Sequence, residues 1–211
     1  MSLGLEAFPP EKFLSSAKNI DRSRDMNKGA GLTKGKIRSK ILLALKTQKE
    51  EDRSRKSRII QRKLLRNKVF KKAKIVMFYV AFGGEVKTEE MIKEAKKMGK
   101  LICVPVCRRD REIMQPAVLE DHSRLKEGPY GVLEPASRAL VDPDELDLII
   151  VPGLAFDRKG NRLGRGKGCY DRFLGALSDN MPSIGLAFDF QILPLVPTAN
   201  HDVTIKQVIF S

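Results

Sequence analysis

The chain is poor in the residues that staple or ligate. Among 211 residues there are three cysteines, Cys103, Cys107 and Cys169. An odd, sparse set does not read as a disulfide framework and fits a reducing compartment. There are two histidines, His122 and His201, which argues against a zinc site of ordinary ligand spacing. Aromatic residues make up only 6%, so the stacking platforms of single-strand nucleic-acid binders are scarce. No apolar run reaches the roughly 18 residues of a membrane span. The N-terminus lacks a basic start followed by an apolar stretch, so no signal peptide is expected and the expected location is the cytoplasm. Neither an internal repeat nor a long low-complexity tract is present.

What is there is an ordinary globular balance, 42% hydrophobic and 31% charged, in a chain long enough for one well-buried core. The net charge of +14 is the unusual number. Between Thr33 and Lys74 stand 17 Lys or Arg against Glu50, Glu51 and Asp52, an excess as large as that of the whole chain. Such a block attracts polyanions: nucleic acid, a membrane surface or a nucleotide polyphosphate. Many of these residues also fit a plain solvated helical surface.

Residues 1–32 mix Gly, Ser, Asn, Pro and charges without a sustained period and are expected to be a disordered extension. Residues 33–211 are expected to form one domain. Thr33 suits the N-cap of a first helix, with Ile37, Ile41 and Leu45 on its apolar face. Glu50, Glu51 and Asp52 suit the start of a second, with Ile60, Leu64 and Leu65 buried. Ile75–Val80 reads as a buried strand. A helix from Thr88 to Met98 follows, with Met91, Ile92, Ala95 and Met98 inward. Leu101–Val106 reads as a second strand and Met114–Val118 as an edge strand. Gly128–Pro135 reads as a turn-rich loop. Further strands are expected at Leu146–Val151, Ser183–Ala187 and Gln207–Phe210, with a helix from Tyr170 to Leu177. Short apolar strands alternating with helices predict an α/β fold: one doubly wound, mainly parallel sheet covered on both faces, preceded by two basic helices.

The stretch from Val151 to Asp171 carries the chemistry. It follows a buried strand and leads into a helix, at the strand end where open α/β sheets bind ligands. Gly164, Gly166 and Gly168 alternate with Arg165 and Lys167. Missing Cβ atoms let backbone N–H groups approach an anion, and Arg162, Arg165 and Lys167 add full charges. The spacing is not a P-loop, which would need Gly at 161 and Ser or Thr at 168. Nor is it a dinucleotide fingerprint, which would need Gly at 169. A loop of this composition also suits an RNA contact or a linker. Asp171 lies just beyond the glycines, where a carboxylate among cations would form an ion pair, hold a divalent metal or serve as an ordinary helix N-terminal acid. Asp202 is a second candidate carboxylate, although a turn residue is its ordinary role.

The string from Pro152 to Leu174 resembles the signature of the 5-formyltetrahydrofolate cyclo-ligase (methenyltetrahydrofolate synthetase) family. Lys34-Gly-Lys-Ile-Arg38 is similar to that family's N-terminal element. Tyr79 to Thr88, with Gly84-Glu-Val86, and Gly131-Val-Leu-Glu-Pro135 are similar to two further family segments. Order and spacing agree from about Lys34 to the C-terminus. The resemblance implies an enzyme that uses ATP and Mg²⁺ to close 5-formyltetrahydrofolate into 5,10-methenyltetrahydrofolate, releasing ADP and phosphate. It places Lys34 and Arg38 on the ATP phosphates. Arg162, Leu163, Gly164, Arg165, Gly166, Lys167, Gly168, Cys169 and Tyr170 would cradle the nucleotide, with Arg165 and Lys167 as the catalytic charges. Asp171 and Asp202 would hold Mg²⁺, while Val80, Glu85 and Tyr130 would line the folate pocket. Cys169 departs from the family's usual tyrosine, and Ala81-Phe-Gly-Gly84 makes the folate side locally flexible.

The partners implied are small molecules, with no membrane, no nucleic acid and a monomeric chain. Two other readings stay open on the residues alone. One is an ATP-dependent relative with another small substrate. The other is an RNA-binding protein on the same scaffold, for which the basic block speaks and the scarcity of aromatics speaks against.

Overall fold

The computed structural model describes residues 33–108, 113–120, 125–128, 133–135 and 139–211. Residues 1–32 and Tyr130, on which expectations were placed, lie outside them.

Thr33 starts α1 (Lys34–Thr47) by accepting a hydrogen bond from the Lys36 N–H at 3.4 Å, and α1 buries Ile37, Ile41 and Leu45. The second helix, α2 (Glu50–Arg66), has its three acids in the first turn, where they favour the helix dipole. It buries Ile60 and Leu64 fully and Leu65 partly. A short α3 (Lys68–Lys72), not anticipated from the sequence, is capped by the Asn67 side chain, which accepts from the Val69 and Phe70 N–H groups. Its one buried side chain, Phe70, meets Phe78 edge-on at 6.3 Å.

Ten strands follow. They are β1 (Ile75–Met77), β2 (Leu101–Arg108), β3 (Ile113–Val118), β4 (Leu125–Glu127), β5 (Leu133–Pro135), β6 (Leu148–Val151), β7 (Ala155–Phe156), β8 (Arg162–Leu163), β9 (Ser183–Ala187) and β10 (Gln207–Phe210). Two helices lie among them, α4 (Glu89–Lys97) and α5 (Cys169–Gly175). Six strands form the main sheet in the order β10-β9-β6-β1-β2-β3. All neighbours are parallel except β2 and β3, so β3 is an antiparallel edge, as expected of Met114–Val118. The pairs β4–β5 and β7–β8 are separate antiparallel ribbons. The segment read as a turn-rich loop therefore contains β5.

Strand pleating sorts neighbouring residues onto opposite faces. Val76, Ile102, Val104, Leu148, Ile150, Ile184 and Leu186 pack in one core with Ile37, Ile41, Ile60, Leu64, Met91 and Ile92 from the helices. Met77, Cys103, Ile149, Val151 and Ala187 pack in the other with Phe173 and Leu174 of α5. The inner strands β6 and β9 are thus buried along their whole length, which is why β6 reads as a continuous apolar run. The chain lays down β1, moves outward to β2 and β3, then returns to place β6 on the other side of β1. Right-handed crossovers running in opposite directions put α4 and α5 on opposite faces, the doubly wound arrangement.

Three expectations need correction. Pairing in β1 stops at Met77 rather than Val80, although the Phe78 N–H still donates to the Cys103 carbonyl at 2.8 Å. Beyond it Tyr79 and Val80 leave the sheet; both stay buried, so their apolar character marks a wall rather than a strand. β6 begins at Leu148 because Leu146 closes a 3-10 turn at Pro143–Glu145. Met98 is 47% exposed: α4 ends at Lys97, and Met98, as C-cap, has turned off the apolar face.

Candidate active site

The reversal of strand order falls between β1 and β6. At such a point the two following loops diverge and leave a crevice at the carboxyl ends of the strands. Here a cavity of about 550 Å³ opens between Tyr79, Val80, Phe82 and Glu85, which follow β1, and Pro152, Gly153 and Leu154, which follow β6. The buried Gln191 amide holds the second loop by donating to the Gly153 and Leu154 carbonyls at 2.8 and 3.1 Å.

The glycine-rich loop runs from β8 to α5 along the β6 side. Gly166 (φ 101°) and Gly168 (φ 67°) lie in the left-handed region, which side-chain-bearing residues avoid. Gly168 is the N-cap of α5. The loop is fastened to α1 by Arg38, whose Nε–H donates to the Gly164 carbonyl at 3.0 Å. Asp157 fixes the preceding hairpin turn, accepting from the N–H groups of Lys159, Asn161 and Val196 at 2.9, 3.0 and 3.0 Å.

Three ion pairs line the cavity, and two of them join segments far apart in the sequence. Arg162, only 3% exposed, donates through one terminal nitrogen to Asp171 Oδ1 at 2.8 Å. Its guanidinium lies 5.7 Å from the Tyr170 ring centroid, and its buried Nε has no hydrogen-bond partner among the described residues. Lys34 pairs with Asp202, which also accepts the Ala199 N–H at 2.7 Å. Burial works against the ionised Asp202, but these hydrogen bonds outweigh it and hold the carboxyl below the ordinary carboxylate range. Arg165 pairs with Glu85 Oε1 at 3.0 Å, donates to the Phe82 carbonyl at 3.3 Å and lies 4.7 Å over the Phe82 ring. Glu85 Oε2 accepts the Phe82 N–H at 3.2 Å. Burial raises the Glu85 carboxyl above its ordinary range, with Arg165 opposing.

Every candidate site residue among the described ones lines this cavity: Lys34, Arg38, Val80, Glu85, Asp171, Asp202 and the run from Arg162 to Tyr170. Lys167 is exposed on the loop, and Cys169 is half-buried with Sγ 3.9 Å from the Lys167 carbonyl oxygen. Arg165 does not sit with the other cations: it reaches across to Glu85, binding the two sides together. Sequence reasoning missed Phe82, Pro105, Met114, Glu134 and His201, which also line the cavity. Glu134 lies inside the family-like segment Gly131–Pro135, whose resemblance assigns it no role. The signal available was a lone acid between apolar neighbours in Val132-Leu-Glu-Pro135, which is unusual in a strand.

Among the described residues no three His, Cys, Asp or Glu side chains converge as a metal cage. Asp171 and Asp202 face the same cavity, and the Val203 N–H, 3.4 Å from Asp171 Oδ1, holds their segments side by side. Two carboxylates without further protein ligands suit a hard divalent ion that brings phosphate oxygens with it.

The fold and site define an α/β protein with a cation-lined glycine loop and buried carboxylates on one crevice at the switch point of its sheet. Residues 30–211 match the 5-formyltetrahydrofolate cyclo-ligase family, and the chain belongs to that family of enzymes. The chain is similar to the Mus musculus 5-formyltetrahydrofolate cyclo-ligase, 29% identical over 82% of this chain and 91% of the relative. It is similar to the Haemophilus influenzae enzyme of that name, 31% identical over 66% and 76%. The solved Aquifex aeolicus 5,10-methenyltetrahydrofolate synthetase superimposes with a TM-score of 0.74 at 31% identity, covering 84% of this chain and 89% of the other. The Mycoplasma pneumoniae synthetase, at 22% identity and a TM-score of 0.68, shares the fold.

Proposed function

We propose that this protein closes 5-formyltetrahydrofolate into 5,10-methenyltetrahydrofolate at the expense of ATP. The observation that carries the reading is the single cavity, which joins a cationic glycine loop to buried carboxylates. ATP lies on the β6 side, its phosphates among Lys34, Arg38, Arg162 and Lys167, with the loop from Leu163 to Tyr170 as cradle. The folate lies on the β1 side against Val80, with Glu85 accepting ring N–H donors. Asp171 and Asp202 hold the Mg²⁺ that accompanies the nucleotide, and that ion supplies charge neutralisation on the phosphates.

The formyl oxygen is a poor leaving group, so the γ-phosphoryl is transferred to it and ADP departs. N10 then forms its bond to the formyl carbon, the bond from that carbon to the phosphorylated oxygen breaks, and inorganic phosphate and the N10 proton leave. Such transfer depends on positioning and on cations placed where charge develops. Arg165, which contacts both sides, keeps the transferring group between them, and Lys167 steadies its charge.

Absorbance in the methenyl-folate band tests the reading, with purified protein, 5-formyltetrahydrofolate, Mg²⁺ and ATP, each omitted in turn. Growth of the band should require all of them. ATP binding with no band under any condition would point to another small substrate. We further propose that the enzyme works as a cytoplasmic monomer. Cys103 and Cys169 are free thiols, as a reducing compartment favours. Sedimentation at assay concentration checks the monomeric state.

A further inference from the structure

The basic N-terminal block gives two cations to the cavity, Lys34 and Arg38, and the rest of its charge lies elsewhere. From Arg53 to Lys74 eleven Lys or Arg stand without one Asp or Glu among them. Some of these fasten the fold. Arg53 donates to the Glu85 carbonyl at 2.9 Å, Lys56 pairs with Asp189 at 2.7 Å, and Lys63 donates to the Phe210 carbonyl at 2.6 Å. Four arginines of α2 stand apart from that work. Arg55, Arg58, Arg62 and Arg66 follow one another at spacings of three, four and four, which sets them in one row along the helix. The row lies opposite Ser57, Ile60 and Leu64, which are buried, and all four arginines are exposed.

The fold does not use this charge. Arg58, Arg62 and Arg66 make no ion pair among the described residues, and the pair of Arg55 with Asp52 is open to water, at 62% and 51% side-chain exposure. The neighbouring α4 brings acids close to α2, but Glu89, Glu90 and Glu94 pair with Lys93 and Lys97 of their own helix. Like charges at helical spacing repel, so the row costs α2 stability that a bound anion would restore. None of the four arginines lines the cavity, so the row is separate from the site described above.

We propose that this face of α2 binds the phosphate backbone of a duplex nucleic acid. The row is straight and about 16 Å long, and a duplex presents one charge per roughly 1.7 Å of its axis, so the row spans several phosphates. A guanidinium fork donates to two phosphate oxygens at once, which suits a row made of arginine alone. The scarcity of aromatics counts against single strands, which bind by stacking, and leaves duplexes, which bind through their backbone. A membrane surface is a poorer match. An interfacial helix inserts its apolar face, and that of α2 is spent on the core, with Ile60 and Leu64 at 0% exposure. Backbone contacts carry no base information, so the binding is indifferent to sequence.

Fluorescence anisotropy with labelled RNA and DNA duplexes of one sequence, from about 50 to 200 mM salt, tests the proposal. Wild-type affinity should fall with salt at a log–log slope of about −3 to −4, as four neutralised phosphates require. The triple variant Arg58→Gln, Arg62→Gln, Arg66→Gln should bind about tenfold or more weakly at the low-salt end, with a slope near −1. The triple Arg→Lys variant at the same positions keeps the charge and should keep most of the slope. A control that removes equal charge from exposed positions of α1, Lys36→Gln with Lys40→Gln and Lys46→Gln, should bind nearly as the wild type does. All of these positions are exposed, so Tm should stay within about 2 °C throughout. Tighter binding of the RNA or of the DNA duplex would identify the natural source of the phosphates, and equal binding would support pure backbone recognition. No binding by the wild type at low salt would overturn the proposal. So would equal losses in the α2 and α1 variants, which would reduce the effect to net charge. Tighter binding of polyglutamate than of either duplex would overturn it in favour of an acidic protein partner.

Discussion

Replacing Arg162 with alanine removes a guanidinium that is 3% exposed and paired with Asp171 at 2.8 Å. The partner is left behind: Asp171 is 15% exposed and, among the described residues, keeps the long 3.4 Å contact from the Val203 N–H. Removing one member of a buried ion pair costs about 3–5 kcal/mol, because the other charge stays out of water. Asp171 retains some solvent and one N–H, so the lower end, about 3 kcal/mol, applies. In a chain of this size that lowers Tm by roughly 6–12 °C. Differential scanning calorimetry on the ligand-free proteins measures it. Asp171→Asn should cost less, since asparagine keeps a hydrogen-bond acceptor for Arg162. The double variant should cost clearly less than the sum of the two, since both break the same pair. A Tm for Arg162→Ala within about 2 °C of wild type, well under the roughly 6 °C expected from the pair, would refute the reasoning that a buried, coupled pair organises this wall of the cavity.

Other outcomes follow from the same geometry. Lys167→Ala, at an exposed loop position, should leave Tm unchanged while turnover drops about a hundredfold or more in single-turnover kinetics; near-normal turnover would remove Lys167 from the mechanism. Glu85→Gln should raise the KM for 5-formyltetrahydrofolate far more than that for ATP. Because burial raises the Glu85 carboxyl, the folded state holds that proton to higher pH than the unfolded state, and stability falls as pH rises through the interval. The Gln variant should therefore gain Tm over wild type as pH rises from roughly 4 to 7. Asp202 works with the opposite sign. Its lowered carboxyl contributes stability above the ordinary carboxylate pKa and loses it as pH falls through the lowered one. The Tm deficit of Lys34→Met should accordingly be full near neutrality and shrink in acid below about pH 4.

The sequence was most informative where a local pattern had to be buried. Ile37, Ile41 and Leu45 recur at helical spacing, and all three are buried in α1. Ser183–Ala187 and Gln207–Phe210 occur as strands within the expected bounds, each carrying Ile, Leu or Val into the sheet core. The glycine loop was visible because its phosphate-like chemistry is written in consecutive residues. Other features had no local signature. The two-residue strands β7 and β8 are too short to show a period, and the five-residue α3 buries a single side chain. Tyr79 and Val80 are as apolar as a strand, yet they line a pocket. The pairing of Arg165 with Glu85, and of Lys34 with Asp202, joins segments 80 and 168 positions apart. Only the sheet order brings them together, so the contact of Arg165 with Glu85 could not be read along the chain.

The central claim is that one cavity couples ATP cleavage to folate ring closure. Its most direct test is to follow methenyl-folate absorbance and phosphate release in the same reaction, with 5-formyltetrahydrofolate, ATP and Mg²⁺. The account predicts that both signals rise together in a one-to-one ratio, and that omitting any one component abolishes both. Phosphate release that proceeds without the folate, or ring closure that proceeds without ATP, would contradict it.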